Sequence, residues 1–342
     1  MRFCSSLLHF GFKARDVVAY SLLLGSTISA FGQTPPKPVS ATGQSAVAVH
    51  TTFAEAIKKS VAYLQTDCTK ADGTTTSYEA TGFFVAKPDE RLGKDSEFVY
   101  LVTNRHAAQP GIEDGTPCHV SNYWIRLNIR AVAPTELPRA MSFPLGPDVP
   151  WIYPDDPAVD LAIVPLAPSQ PKVDYEPIPS TMFATDDVVK VNMISEGDPV
   201  IFTGLFVQMP GLLRLEPIVR EGTIAMIPSE PIMTTLKKPG NLYLADVHVF
   251  GGNSGSPMFV NLSGVRNGQL IFGAGYRLLG VVSGYEFEDT DFNLQAATTY
   301  AGKLGANSGV TSVVPADELD KLINCPKLQA MRDAEVAKVI GK

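Results

Sequence analysis

A chain of 342 residues, 45% hydrophobic and 18% charged, can bury a full core and allows one large or two small domains. A formal charge of -7 with no basic cluster argues against nucleic acid as a partner. The 28 glycines and 27 prolines suit many short strands joined by turns better than a helical bundle.

The N-terminus reads as an export signal. Arg2, Lys13 and Arg15 precede an apolar stretch at 17–30, with the small residues Ser29, Ala30 and Gly32 near its end. That stretch is short for a membrane span, which needs about 20 apolar residues. Cleavage is expected after Ala30 or Gly32, giving a signal at 1–32 and an exported, periplasmic or secreted product with no stable membrane insertion. The alternative is an uncleaved anchor, which leaves the rest of the chain outside the cytoplasm all the same. Residues 33–50, rich in proline and small side chains, read as a flexible linker.

Phe53, Ile57, Val61 and Leu64 fall at helical spacing and predict a short helix. Apolar segments of strand length follow at 81–86, 98–103, 124–132, 161–166 and 200–207. Others lie at 222–227, 242–249, 258–261, 269–274, 278–283 and 310–314. Turn residues separate nearly all of them, which predicts an all-β, antiparallel barrel or sandwich. From Pro315 the pattern changes: Ala316, Leu319, Leu322 and Ile323 predict a closing helix that ends near Cys325-Pro326, with a tail at 327–342 that extends it or frays. No internal repeat interrupts 51–326, which reads as one domain.

Three segments carry chemistry. Gly251-Gly252-Asn253-Ser254-Gly255-Ser256-Pro257 places a serine in a glycine-rich turn, where the backbone can bend tightly and point amide N–H groups at a developing oxyanion. His106 ends an apolar run in Thr103-Asn104-Arg105-His106-Ala107, and Asp160 opens another, Asp160-Leu161-Ala162-Ile163. A serine hydroxyl is a weak nucleophile until an imidazole takes its proton, and that imidazole needs a carboxylate to fix its tautomer. The other histidines past the leader, His50, His119 and His248, lack such a strand ahead of them. Asp155 and Asp156 compete with Asp160, but Pro154 and Pro157 put them in a turn.

Together these segments resemble the trypsin-like, chymotrypsin-fold serine proteases, in particular the bacterial branch with HtrA-type enzymes and glutamyl endopeptidases. The resemblance spans about residues 60–325. It includes the flanking stretches at 81–86, 279–285 and 309–323. It implies two six-stranded antiparallel β-barrels meeting near 175–195, with a short N-terminal and a C-terminal helix, and with His106, Asp160 and Ser254 as the catalytic residues in the cleft. It also implies an oxyanion hole from the N–H groups of Gly252 and Ser254. Ser283, Gly284 and Tyr285 would contact substrate, Ser283 serving either Asp160 or the substrate backbone. His248, six residues before Ser254, falls where the base of the specificity pocket is often found, though plain packing is the other reading. Asn253 stands where digestive relatives carry Asp, so no activation switch by a new N-terminal amine is expected. Val282 before Ser283 departs from the histidine of glutamyl endopeptidases, leaving acidic specificity open. No PDZ domain is expected to follow.

Past the leader, with its Cys4, three cysteines remain. Cys68 and Cys118 flank the histidine strand and are the candidate disulfide, with Cys325 as another partner or a free thiol. No cysteine lies in metal-ligand spacing with histidine, so no metal site is expected. The three implied catalytic residues supply nucleophile and base themselves, so no cofactor is expected either, and the implied partner is a peptide or protein substrate. An α/β-hydrolase needs G-x-S-x-G with the serine first in chain order; here Ser256 breaks the motif and the serine comes last. A protease-like fold kept as a catalytically silent binding module is the remaining alternative.

Overall fold

The computed structural model describes residues 14–16, 52–69, 73–94, 96–131, 139–266, 268–295 and 299–341. The expected linker lies outside the described residues, and so does the expected leader at 1–32 except for Ala14–Asp16, which pairs antiparallel with the start of Ser96–Thr103. The described residues are mostly β, with five α-helices. None of these helices is long and apolar enough to cross a membrane.

The first half is an eight-stranded sheet. Its path runs Ala14–Asp16, Ser96–Thr103, Thr75–Pro88, Val61–Thr69, His119–Ile129, Arg139–Gly146. Ala162–Pro165 also pairs with Ser96–Thr103, and Ile178–Pro179 with Thr75–Pro88. The second half closes as a barrel in the order Ile218–Met226, Tyr243–Asp246, Thr299–Pro315, Tyr276–Gln295, Pro257–Asn261, Pro199–Gly204. Two closed barrels are what the resemblance implies, and only the second half closes. In the first, Ala162–Pro165 bonds Ser96–Thr103 on one side and meets only an isolated bridge, Ile152 to Ile163, on the other. The Arg139–Gly146 edge spends an amide on the second half instead, Ala140 N donating to Leu213 O at 2.6 Å. Among the described residues no ladder joins the two edges.

Several strands read as unbroken apolar runs because both of their faces are buried. Alternate side chains of Ser96–Thr103 divide between two cores. Phe98, Tyr100 and Val102 enter a cluster shared by both halves, while Val99 and Leu101 enter one inside the first half. Leu161 and Ile163 divide from Ala162 and Val164 in the same way. From the second half, Phe259, Leu278, Val281 and Val314 complete the shared cluster. Each such side chain is worth about 1.5–3 kcal/mol on burial, so the seam between the halves is core.

The predicted N-terminal helix is shorter than its periodicity suggests. It covers Phe53–Lys58, with a capping box from Thr52 and Glu55. Val61 and Leu64 lie instead in the strand Val61–Thr69, whose alternating burial mimics a helical stripe over a few residues. The C-terminal helix Ala316–Ile323 ends where expected, and a second helix, Pro326–Ile340, restarts with Pro326 in its first turn. Arg332 anchors it, buried and donating to Tyr100 Oη at 2.8 Å and Ile323 O at 2.7 Å.

Cys68 and Cys118 are joined in a disulfide with 5.7 Å between their Cα atoms, and Cys325 is free. The bridge ties the loop after His106 back to Val61–Thr69 across a sequence separation of 50. A constraint of that length stabilises by roughly 3–4 kcal/mol through the unfolded chain. The double variant Cys68→Ala/Cys118→Ala is therefore expected to lose about that much in urea denaturation; an unchanged midpoint would show that the bridge contributes nothing.

Candidate active site

Register brings the candidate residues together. Thr103 pairs with Ala162 at one end of the antiparallel ladder, so the chain leaves one strand into His106 and enters the other from Asp160. His106 sits in the short helix Arg105–Ala108. Asn104, fully buried, donates from Nδ2 to the Asp160 carbonyl at 2.9 Å and locks the two segments. His106 then meets Asp160 twice. Its backbone N–H donates to Oδ1 at 3.0 Å, and its Nδ1–H to Oδ2 at 2.7 Å. A carboxylate can only accept, so the neutral imidazole carries its proton on Nδ1 and leaves Nε2 as an acceptor.

Asp160 is 1% exposed and the His106 side chain 23%. Burial works against charge on both groups, and for both the pairing prevails. Desolvation pushes the His106 pKa down, but the Asp160 charge, its hydrogen bond and the more distant Glu113 carboxylate raise it above the ordinary value of 6.5. Desolvation pushes Asp160 up, but the His106 charge and hydrogen bonds from His106 and Ser283 hold it below the usual carboxylate range.

Ser283 lies at a register shift in Tyr276–Gln295, where pairing passes from Val282–Val313 to Gly284–Ser312. Such a bulge re-aims a side chain. Here Ser283 Oγ donates to Asp160 Oδ2 at 2.5 Å. A residue that sequence reasoning missed joins it: Thr235 Oγ1 lies 2.6 Å from Ser283 Oγ and 3.2 Å from Asp160 Oδ2. Thr235 belongs to a connection between β-strands with no motif around it, so its sequence offered no signal.

Ser254 stands in a loop held by its own side chains. Asn253, fully buried, accepts the Phe250 N–H at 2.8 Å and donates to Leu205 O at 2.7 Å. An aspartate there would have nothing to donate to Leu205, so the neutral amide serves both contacts. Thr81 ties the loop to the first half: its N–H donates to Ser254 O at 2.9 Å and its hydroxyl to Gly252 O at 2.7 Å. Gly252 and Gly255 have φ of +92° and +86°, and a Cβ at Gly255 would run into Thr81 O. Among the described residues nothing accepts the N–H of Gly252 or Ser254.

His106 and Ser254 line one cavity of about 240 Å³, with Val249 and Phe250 on one wall and Val282 to Tyr285 on another. Glu113 and Thr235 line it too. The Ser254 hydroxyl donates to Ser283 O at 3.3 Å and makes no hydrogen bond to His106. His248 is exposed, sits against Gly309 and is not part of the cavity wall. Among the described residues no group of three or more His, Cys, Asp or Glu is arranged to hold a metal. Chemically, the arrangement offers a hydroxyl and an imidazole acceptor around one cavity, with the unaccepted N–H groups of Gly252 and Ser254 in the loop that carries the hydroxyl.

No family model and no curated protein matches the chain. Among solved structures, the Rv3671c protease from M. tuberculosis in its active form is similar at 19% identity and a TM-score of 0.40, covering 87% of this chain and 93% of that one. The HtrA-type protease AlgW with a decapeptide is similar at 14% and 0.39, covering 83% and 68%. Deg5 is similar at 16% and 0.37, covering 67% and 81%. Likeness at this level is distant, and the reading of the site rests on its own geometry.

The opposing effects on His106 give a test. An NMR titration of its imidazole is expected to show a midpoint above 6.5. In Asp160→Asn, desolvation becomes the largest remaining influence and the midpoint should drop below the ordinary value. A midpoint that does not respond to Asp160→Asn would mean that the carboxylate does not govern the ring.

Proposed function

We propose that this chain is a serine endopeptidase that cleaves peptide bonds through an acyl-enzyme on Ser254, with His106 as base and Asp160 as its orienting carboxylate. The observation that carries the reading is the His106 Nδ1 to Asp160 Oδ2 bond of 2.7 Å, which leaves Nε2 free as an acceptor in the cavity that also holds Ser254. The hydroxyl exchanges Ser283 O for His106 Nε2, gives up its proton and attacks the substrate carbonyl. The new oxyanion takes the N–H groups of Gly252 and Ser254. A fixed donor at that position is worth ~10²–10³ in turnover. His106 then protonates the leaving amine, and water repeats the cycle to release the acid.

The substrate backbone runs along Ser283, Gly284 and Tyr285, with its side chain against Val249 and Phe250. His248, exposed and off the cavity wall, takes no part in the proposal. No cofactor enters these steps. The leader read in the sequence adds the proposal that the enzyme works outside the cytoplasm.

The silent binding module has one observation in its favour, the Ser254 hydroxyl bonded to Ser283 O rather than to His106. Fluorophosphonate labelling with peptide mapping separates the two. Labelling confined to Ser254, lost in Ser254→Ala together with roughly 10⁶ of turnover, is the expected result. Properly folded wild-type protein that takes no label would favour the silent module. Hydrolysis should also fall on acidification, because protonated His106 cannot act as base, and the midpoint should lie above 6.5 given the raised value of that ring. A flat profile from pH 5 to 8 would remove His106 from the base role.

A further inference from the structure

We propose that Thr235 is a positioning residue for Asp160: its hydroxyl completes a relay, Thr235 to Ser283 to Asp160, that fixes the carboxylate beneath His106. The inference rests on the endopeptidase reading for its catalytic consequence, and on the hydrogen bonds alone for its physical one.

Proton counting defines the relay. Ser283 has one hydroxyl proton and spends it on Asp160 Oδ2 at 2.5 Å. Its oxygen can still accept, and the Thr235 hydroxyl lies 2.6 Å away. The contact from Thr235 to Asp160 Oδ2 is longer, at 3.2 Å, so the Thr235 proton belongs chiefly to Ser283. A hydroxyl that accepts one bond donates the next one more strongly. Occupying the Ser283 oxygen also fixes the direction in which its proton points.

The threonine is seated for this task. A Cβ at Gly284 would come 3.1 Å from its Cγ2, so the glycine leaves room for the methyl group. The hairpin that carries it is formed by Ile232–Met233 and Pro239–Gly240, and it turns through Lys237 at a φ of 57°. Gly240 lies against Ala158, two residues before Asp160, where a Cβ would approach the alanine methyl at 2.9 Å. On its other side Lys237 Nζ donates to Asp114 at 2.6 Å, on the loop that follows His106. The hairpin thus reaches from the second half to both sides of the His106–Asp160 pair. The charged groups around that pair are Glu113, which acts on His106, and the exposed Asp114–Lys237 ion pair.

Removing the hydroxyl has a signed effect. Asp160 would lose support for its negative charge, bind the imidazolium more strongly and shift the His106 titration upward. A structural role alone would change stability without moving that ring. The experiment compares wild type, Thr235→Val, which keeps the shape, and Thr235→Ser, which keeps the hydroxyl, by NMR titration of His106 and by peptide hydrolysis. The expected result for Thr235→Val is an upward midpoint and a roughly tenfold loss of kcat with KM little changed, reversed in Thr235→Ser. Coincident His106 titrations and equal kcat in wild type and Thr235→Val would overturn the proposal. The titration decides it even if wild-type protein fails to label at Ser254, an outcome that sinks only the hydrolase reading.

Discussion

The carboxylate of Asp160 is the constraint around which the site is built. At 1% exposure it has lost its water, and an isolated charge there would cost several kcal/mol. Three donors replace that water, the backbone and ring N–H groups of His106 and the Ser283 hydroxyl, with the Thr235 hydroxyl behind the last of these groups. With Thr235 they come from three separate parts of the chain, two of them in the second half. Satisfying one charge therefore forces the halves into a single relative position. Removing any donor leaves the others to hold a charge that cannot escape to solvent.

That relative position is also what the apolar strands need. Ser96–Thr103 cannot hide both of its faces within the first sheet, so Phe98, Tyr100 and Val102 must meet side chains of the other half. Phe259 and Val281 supply them, Phe259 on the strand that leaves the Ser254 loop and Val281 on the strand paired with it. Packing thus places the serine loop beside the strand end that carries His106. The polar site forms where the shared core ends, and this is why a cavity opens there.

The polar residues of the site were the most legible part of the sequence. His106 and Asp160 each mark an end of an apolar run, and the turn around Ser254 is defined by glycines whose positive φ the structure requires. Long strands buried on both faces were equally plain. What failed to show was pairing at a distance. Arg139–Gly146 carries Pro144 within it and fully buries only Phe143, so it was not expected as a strand. Whether the first sheet closes depends on where its edge amides find acceptors, and Ala140 finds one on Leu213, far along the chain. Thr235 was invisible for the same reason, because its role exists only through partners 48 and 75 residues away.

The Ser254 loop is held from two sides. Asn253 holds it from within, Thr81 holds it from the first half, and the N–H groups of Gly252 and Ser254 are left without an acceptor among the described residues. Dipoles fixed in advance need no reorganisation when charge develops, which is where such groups contribute most to a rate. The hydroxyl of Ser254 is the one component not yet aimed. Its bond to Ser283 O is long, at 3.3 Å, and a neutral hydrogen bond contributes only about 0.5–1.5 kcal/mol at good geometry. Turning the side chain toward His106 costs no more than that, whereas moving Asp160 or the loop backbone would break several short bonds at once. On the proposed reading, the protein has made rigid what must bear charge and left loose only the atom that must move.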